Sequence, residues 1–223
     1  MKLKVRQMNI PSTPNDHPDP RESHGIKIVE LKRAEFPAVV ELVARGMRDN
    51  PLHVAAYGTD PARRLACHAR LIGALLNTKP TLRLFGVKQQ DTLLAVAGEA
   101  AVGTCQMTPG QILRAGPQVA MLGPRTAVRV QRWIQNWARH DPTEDHVHLG
   151  PVAVEPSLQG NGFGSIVVRE HCQLLDQSRL VGYLETDKLV NVDFYRRLGY
   201  EIVDEGPVLG VPNWFMRRSP IVP

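Results

Sequence analysis

Three glycines occupy alternate positions in the stretch QGNGFG, residues 159–164, directly ahead of a segment with helical periodicity. Glycine permits a turn so tight that side chains would clash, and successive backbone N–H groups can then point toward one anion. The N-terminus of the following helix adds the positive end of its dipole. The stretch therefore predicts a phosphate-binding loop.

Three known phosphate-loop patterns can be tested against this stretch. The nucleoside-triphosphatase pattern requires a lysine after the glycines, and none follows here. The dinucleotide pattern G-x-G-x-x-G would need a glycine where Ser165 stands, although Glu185 lies where an acid would bind a ribose. The third pattern, Q/R-x-x-G-x-G/A between a strand and a helix, fits every fixed position from Gln159 to Gly164. This pattern predicts that the loop binds a pyrophosphate.

The glycine loop is part of a longer motif, LGPVAVEPSLQGNGFGS (149–165). Two further motifs follow it along the chain, first YLETD (183–187) and then N-x-x-F-Y-x-x-x-G-Y (191–200). With them, residues 26–219 resemble the GCN5-related N-acetyltransferase (GNAT) superfamily. The resemblance implies a mixed α/β fold: a central, mostly antiparallel twisted sheet of six to seven strands with a splayed central cleft and flanking helices. It also implies transfer of an acetyl group from acetyl-CoA to a primary amine by direct attack, without a covalent enzyme intermediate.

The resemblance places the pyrophosphate of acetyl-CoA on the glycine loop and the pantetheine along the preceding strand. The residues that it assigns to the cofactor are Val152, Ala153, Val154, Gln159, Gly160, Asn161, Gly162, Phe163, Gly164, Ser165, Asn191 and Phe194. Many relatives carry arginine where Gln159 stands, so we expect less positive charge beside the phosphates. The backbone donors of the loop remain, and cofactor binding is expected to persist.

Two residues are candidates for proton transfer. The resemblance implies that Tyr195 protonates the leaving thiolate, and a phenol, with a pKa of about 10, suits that role only when position and environment assist it. His148 is the candidate general base, because some arylalkylamine-acetylating relatives carry a histidine on this strand and imidazole titrates near neutral pH. Glu99, Glu185 and bulk water remain alternatives.

The cysteines and histidines predict no metal site. His146 and His148 supply two ligands, and a zinc site needs a third and a fourth. Cys67, Cys105 and Cys172 form no CxxC pair, so we interpret them as buried or idle thiols without disulfides. No Ser-His-Asp or Cys-His motif of a covalent enzyme is present.

The elements that must position these residues follow from hydrophobic periodicity and from proline and glycine signals. We predict a strand at 26–31, a helix at 35–47, and a helix capped by Asp60 that ends by Lys79-Pro80. Two strands at 81–89 and 92–107, a loop with broken helical turns at 108–125 and a helix at 125–140 come next. The last third predicts a strand at 146–156, a helix at 164–178, a strand at 181–187, a short helix at 191–199, and strands at 200–206 and 213–219. The segment 106–145 and Asp49-Asn50-Pro51 are expected to determine the acceptor.

Composition limits the remaining possibilities. The chain has 223 residues, 43% apolar and 22% charged with a net charge of +5, which suits one domain at 26–220 behind a flexible tail at 1–25. Without an apolar run of signal-peptide or membrane-span length, we expect a cytoplasmic protein. Scattered basic residues without interleaved aromatics argue against nucleic acid as a partner. The acceptor is expected to be a small-molecule or protein amine, and the resemblance makes a homodimer plausible.

Two other functions stay open at this level. One is a GNAT-fold sensor that binds CoA thioesters without turnover, because no sequence feature excludes it. The other is an enzyme that binds a nicotinamide dinucleotide, although only about 60 residues follow the loop, too few for a full nicotinamide-binding half. Stabilisation by NAD but not by CoA would indicate the second.

Overall fold

The computed structural model of this protein describes residues 25–221, so the predicted tail lies outside the described residues except for Gly25. These residues form one seven-stranded sheet in the order β1-β2-β3-β4-β5-β7-β6. The strands are β1 (Ile26–Glu30), β2 (Leu82–Gln89), β3 (Thr92–Ala100), β4 (His146–Val154), β5 (Val181–Thr186), β6 (Glu201–Val208) and β7 (Val211–Arg218). Within this sheet only β4 and β5 run parallel. The predicted fold class is confirmed.

Seven α-helices flank the sheet in the described part of the chain. They are α1 (Phe36–Gly46), α2 (Pro51–Tyr57), α3 (Pro61–Thr78), α4 (Pro109–Ala120), α5 (Pro124–His140), α6 (Phe163–Ser178) and α7 (Leu189–Arg196). As predicted, Asp60 caps α3: its carboxylate accepts a hydrogen bond from the Ala62 N–H at 3.0 Å. Pro61 occupies the first helical position, where its missing N–H costs nothing.

Three element predictions are wrong. The segment 108–125 is not a broken loop but contains α4, which begins in a capping box: Thr108 Oγ1 accepts from the Gln111 N–H, and Gln111 Oε1 accepts from the Thr108 N–H. The cap and packing outweigh the helix-breaking tendency of Pro117. Pro51 begins the unpredicted helix α2 rather than only ending α1. Strand β3 ends at Ala100, well before residue 107.

Side-chain alternation along the strands divides the core between two faces of the sheet. Ala95 and Ala97 of β3 pack with α6 and α7, whereas Val96 packs with α1 and α3. In β5, Leu184 packs with α6 and α7, and Tyr183 packs with α2 and α5. We call these the α6–α7 face and the α1–α5 face.

Strands β4 and β5 separate after a short parallel pairing. Among the described strands, β5 pairs with β4 only at residues 146–148, although β4 continues to Val154. The backbone of β4 beyond this fork therefore has no ladder partner on the β5 side.

A bulge in β4 accompanies the fork. Ala97 pairs with Val152 but Glu99 pairs with Leu149, so β4 holds one residue more than β3 between these pairs. Leu149 and Val152 consequently pack toward the same face, the α6–α7 face. A side chain at Gly98 would place its Cβ 2.7 Å from the Gly150 carbonyl oxygen, so this close approach requires glycine.

Candidate active site

The predicted phosphate loop forms a left-handed turn that leads directly into α6. Gly160 and Gly162 have φ angles of +84° and +86°, a region that side chains rarely adopt. A Cβ atom added to either glycine would meet no heavy atom within 4 Å, so backbone conformation rather than space favours glycine here. The first hydrogen bond of α6 runs from the Ile166 N–H to the Gly162 carbonyl, which leaves the N–H groups of residues 163–165 without helical acceptors. These groups can bind an anion.

Gly164 is the point at which the loop meets two other predicted segments. A Cβ placed there would lie 3.4 Å from Val154 Cγ2 and 3.7 Å from Phe194 Cζ. The loop, the free end of β4 and α7 therefore converge. Asn191 anchors α7 to the end of β5, because its side-chain amide donates to Thr186 Oγ1 at 3.1 Å.

The Gln159 side chain has a different contact from that expected of a phosphate ligand. Its Nε2 donates to the Gly46 carbonyl at 3.2 Å and to the Val154 carbonyl at 3.3 Å. It therefore links the end of α1 to the end of β4. A role for Gln159 in cofactor binding stays a prediction that rests on its backbone and on the position that it gives the loop.

Tyr195 lies in the last turn of α7 and is only 7% exposed. Its ring makes edge contacts with the rings of Phe194 and Tyr200. Burial raises the pKa of Tyr195 above its ordinary value, so the phenol stays protonated. Within residues 25–221 its hydroxyl group makes no hydrogen bond.

His148 occupies the last paired position before the fork and points toward the α1–α5 face. Its Nε2 lies 3.0 Å from Glu185 Oε2, and its Nδ1 lies 2.9 Å from Cys105 Sγ. Burial lowers the pKa of His148, but Glu185 and Cys105 outweigh burial and raise that pKa well above its ordinary value. The second oxygen of Glu185, Oε1, is buried and has no hydrogen-bond partner among the described residues.

Two further residues complete a cluster around His148. One ligand-type atom each from Cys105, Asp141, His146 and His148 lies within 4.8 Å of the others. Burial raises the pKa of the Cys105 thiol, but His146 and His148 outweigh burial and lower it. Cys105 is a free, half-buried thiol in contact with His148, and its interpretation as an idle thiol stays a prediction. Sequence spacing carried no signal for this cluster, because α4 and α5 separate Cys105 from Asp141.

Glu99, an alternative general base at the sequence level, lies in a closed buried network. Its carboxylate contacts His171 Nδ1, and His171 Nε2 lies 2.8 Å from the Tyr200 hydroxyl. His171 belongs to α6, so this network is on the α6–α7 face. Both ring nitrogens of His171 are engaged there, and the arrangement serves packing between the helix and the sheet.

The connection between α1 and α2 lies beside the fork, and its role in acceptor choice stays a prediction. The Leu52 N–H donates to Asp187 Oδ2 at 2.7 Å, just after the end of β5. Lys188 Nζ donates to Asn50 Oδ1 at 3.4 Å. The end of β5 and the start of α7 therefore hold this connection next to the open edge of β4.

Comparisons with known proteins agree with this geometry. The family model described as the acetyltransferase (GNAT) family matches residues 82–200, more than half of the chain. Residues 25–221 hold no helix of the length and apolarity that crossing a bilayer takes.

Solved structures with the same fold include three from different organisms. The structure of a histone acetyltransferase HPA2 and related acetyltransferase from Corynebacterium glutamicum is 18% identical with a TM-score of 0.68, over 89% of this chain and 98% of that chain. Arylalkylamine N-acetyltransferase 2 from Aedes aegypti is 11% identical with a TM-score of 0.58, and the match covers 87% of this chain and 98% of that chain. The putative acetyltransferase yncA from Salmonella typhimurium, solved with acetyl-CoA, is 15% identical with a TM-score of 0.50. The match covers 87% of this chain and 94% of that chain. At these identities the likeness concerns the fold.

Proposed function

Because the chain belongs to the acetyltransferase (GNAT) family, we propose that it transfers an acetyl group from acetyl-CoA to a primary amine of a small molecule or a protein. The observation that carries this proposal is the convergence of the glycine loop, the free end of β4 and α7 at Gly164. Two structural neighbours support the chemistry: one was solved with acetyl-CoA and another is an arylalkylamine N-acetyltransferase.

The residues at this convergence suit the two ends of acetyl-CoA. The free N–H groups of residues 163–165 and the left-handed glycines offer donors to a pyrophosphate. The edge of β4 at Val152–Val154, which has no strand partner on the β5 side, can pair with the amide groups of pantetheine as an added strand would. The bound cofactor supplies an activated thioester whose carbonyl carbon accepts a nucleophile. Holding both reactants at the fork removes much of the entropic cost of their encounter.

We assign the proton transfers to two sites on opposite faces of the sheet. The neutral amine nitrogen attacks the thioester carbonyl, and the C–S bond breaks as the amide C–N bond forms. The His148–Glu185 pair accepts the proton that the amine loses, since this pair lies at the fork and Glu185 Oε1 has a free lone pair. Tyr195 donates its phenolic proton to the departing thiolate, and solvent restores it. Both roles follow from position and remain proposals.

The test begins with cofactor binding, for which the chain offers a matched pair of glycines. Gly162 and Gly210 both have φ near +80° and open space around a Cβ, but Gly210 lies in the β6–β7 turn. By calorimetry, Gly162→Val should weaken acetyl-CoA binding at least tenfold, because valine disfavours this backbone conformation. Gly210→Val should leave that affinity unchanged. Equal affinity in both variants would show that the cofactor binds elsewhere.

The second part measures free thiol release with acetyl-CoA and a panel of small amines and peptides with free amino groups. Acceptor-dependent release is expected for at least one amine class. Acetyl-CoA binding without release on any amine would overturn the transferase proposal in favour of a sensor. Mass spectrometry of the protein after incubation with acetyl-CoA alone should show no acetyl group on Cys105, and its presence there would overturn direct attack.

A further inference from the structure

We propose that Cys105, Asp141, His146 and His148 form a binding site for one zinc ion. Tetrahedral ligands at zinc bond lengths lie roughly 3.3–3.7 Å apart, as follows from metal–ligand distances of about 2.0–2.3 Å. The four candidate atoms all lie within 4.8 Å of one another, and two of the pairwise distances are 2.9 Å and 3.9 Å. Small side-chain rotations therefore bring them to tetrahedral spacing.

The outward atoms of three of these side chains are already held by a second layer of contacts. His148 Nε2 contacts Glu185 Oε2 at 3.0 Å, and His146 Nδ1 contacts the Glu144 carbonyl at 2.9 Å. Gln106 Nε2 donates to Asp141 Oδ2. Such contacts fix the imidazole tautomer and orient ligands in metal sites. They leave His148 Nδ1, His146 Nε2 and Asp141 Oδ1 directed at a common point.

The state of His146 Nε2 is a second observation that points to a ligand at this position. The atom is buried and has no hydrogen-bond partner within residues 25–221. In the neutral imidazole Nδ1 must donate to the Glu144 carbonyl, so Nε2 carries a lone pair, and the Cys105 thiol beside His146 raises the pKa of this imidazole. A metal ion satisfies this lone pair.

The donor set selects the metal. A thiolate and two imidazoles favour zinc over calcium and magnesium, which prefer oxygen ligands. Four protein ligands leave no open position, which is typical of structural zinc sites.

The chain positions of the ligands indicate what the ion would do. Cys105 precedes α4 and Asp141 follows α5, whereas both histidines belong to β4. Zinc would therefore fasten both ends of the α4–α5 segment to the central strand beside the fork. With zinc on Nδ1, the Nε2–H of His148 donates to Glu185, and Glu185 Oε1 remains the proton acceptor of the pair.

A covalent catalytic triad is the competing interpretation of the same residues. Cys105, His148 and Glu185 stand in the order of a nucleophile, a base and an orienting acid. That arrangement assigns no role to His146 or Asp141, whereas a metal ion uses all four members of the cluster. The metal interpretation therefore accounts for more of the geometry.

The experiment uses the full chain, freed of metal by a chelator and then titrated with Zn²⁺ or Co²⁺. We expect one equivalent of zinc by elemental analysis, and with cobalt the visible absorption of a tetrahedral ion together with thiolate-to-cobalt charge transfer. Zinc should also raise the melting temperature by several degrees, because it binds the folded state. None of these measurements depends on acetyl transfer, so their outcome is separate from that of the proposed function.

Two site variants and one control make the result specific. Cys105→Ala should abolish the charge-transfer band and weaken zinc binding at least a hundredfold, and Asp141→Asn should weaken it at least tenfold. Cys67→Ala, a buried cysteine away from the cluster, should bind like the unchanged chain. Circular dichroism establishes that each variant is folded. Less than a tenth of an equivalent of zinc in the unchanged chain, or equal binding in Cys105→Ala, would overturn the proposal.

Discussion

Two histidine–glutamate pairs lie on opposite faces of the same sheet, and their surroundings differ. His171 and Glu99 sit against α6, where the second ring nitrogen of His171 contacts the Tyr200 hydroxyl. His148 and Glu185 sit at the fork, where Glu185 Oε1 is buried without a partner among the described residues. The first pair is closed, whereas the second has an unused lone pair at the edge of an open strand.

This difference shows how one residue combination can serve packing in one place and chemistry in another. A histidine–glutamate contact alone does not indicate a function. The hydrogen-bond partners of the second ring nitrogen and the second carboxylate oxygen must also be known. A pair whose atoms are all engaged stabilises the fold, because removing either partner leaves a buried group unsatisfied. A pair with a free atom beside a ligand cleft can exchange a proton with that ligand.

The largest expected effect is a loss of stability at the closed pair. His171→Ala removes the shared partner of Glu99 and Tyr200 and leaves Glu99 only its ion pair with Arg83 at 3.8 Å, so the free energy of unfolding should fall by about 2–4 kcal/mol. Urea titration followed by circular dichroism measures this quantity. Asp204→Asn, which removes the exposed ion pair with His140, should cost less than about 1 kcal/mol. A loss below about 1 kcal/mol for His171→Ala would contradict the assignment of a structural role.

The fork pair should respond in turnover instead. Glu185→Gln retains the shape of the side chain but loses the carboxylate, so we expect kcat to fall about a hundredfold with little change in KM for acetyl-CoA. The assay contains a chelator, so that bound metal does not contribute. Glu99→Gln is the matched control and should lower stability while kcat per folded molecule stays within about threefold. Similar kcat losses in both variants would abolish the distinction between the pairs.

Tyr195 tests whether the α6–α7 face contributes only packing. Tyr195→Phe keeps the ring contacts but removes the proton donor, so turnover should fall at least tenfold while acetyl-CoA affinity changes little. Tyr57→Phe is the control, since its hydroxyl contacts His68 in the opposite core. Steady-state kinetics and calorimetry measure the two quantities. Unchanged turnover in Tyr195→Phe would remove this residue from the mechanism.

The sequence predicted the parts of the molecule that depend on neighbours along the chain. The glycine loop is one contiguous stretch whose function rests on backbone conformation, so Gly160 and Gly162 carried their own signal. Helix α3 was equally clear, because Asp60 and Pro61 are local start signals. The errors at α2 and α4 arose where proline, read as a helix breaker, instead begins or tolerates a helix.

The cluster around His148 could not be predicted from the sequence, for a geometric reason. Only the two histidines are neighbours in the chain, and alternation in a strand placed them on one face. Cys105 precedes α4 and Asp141 follows α5, and the fold places both ends of this helical segment beside the histidines. No local residue pattern predicts that Cys105 and Asp141 lie close together.

The bulge opposite Gly98 limits the deletions that β4 can accept. It lets a single strand show His146 and His148 to one face and Val152 and Val154 to the other without any break in its course. Deleting one residue from 149–151 would remove the bulge, leave one residue opposite Gly98, and keep the histidines and the valines on their present faces. Deleting two residues would instead turn one half of β4 over, because alternation would then place Val152 on the face of His148. Natural variants of this segment should therefore lose one residue more readily than two.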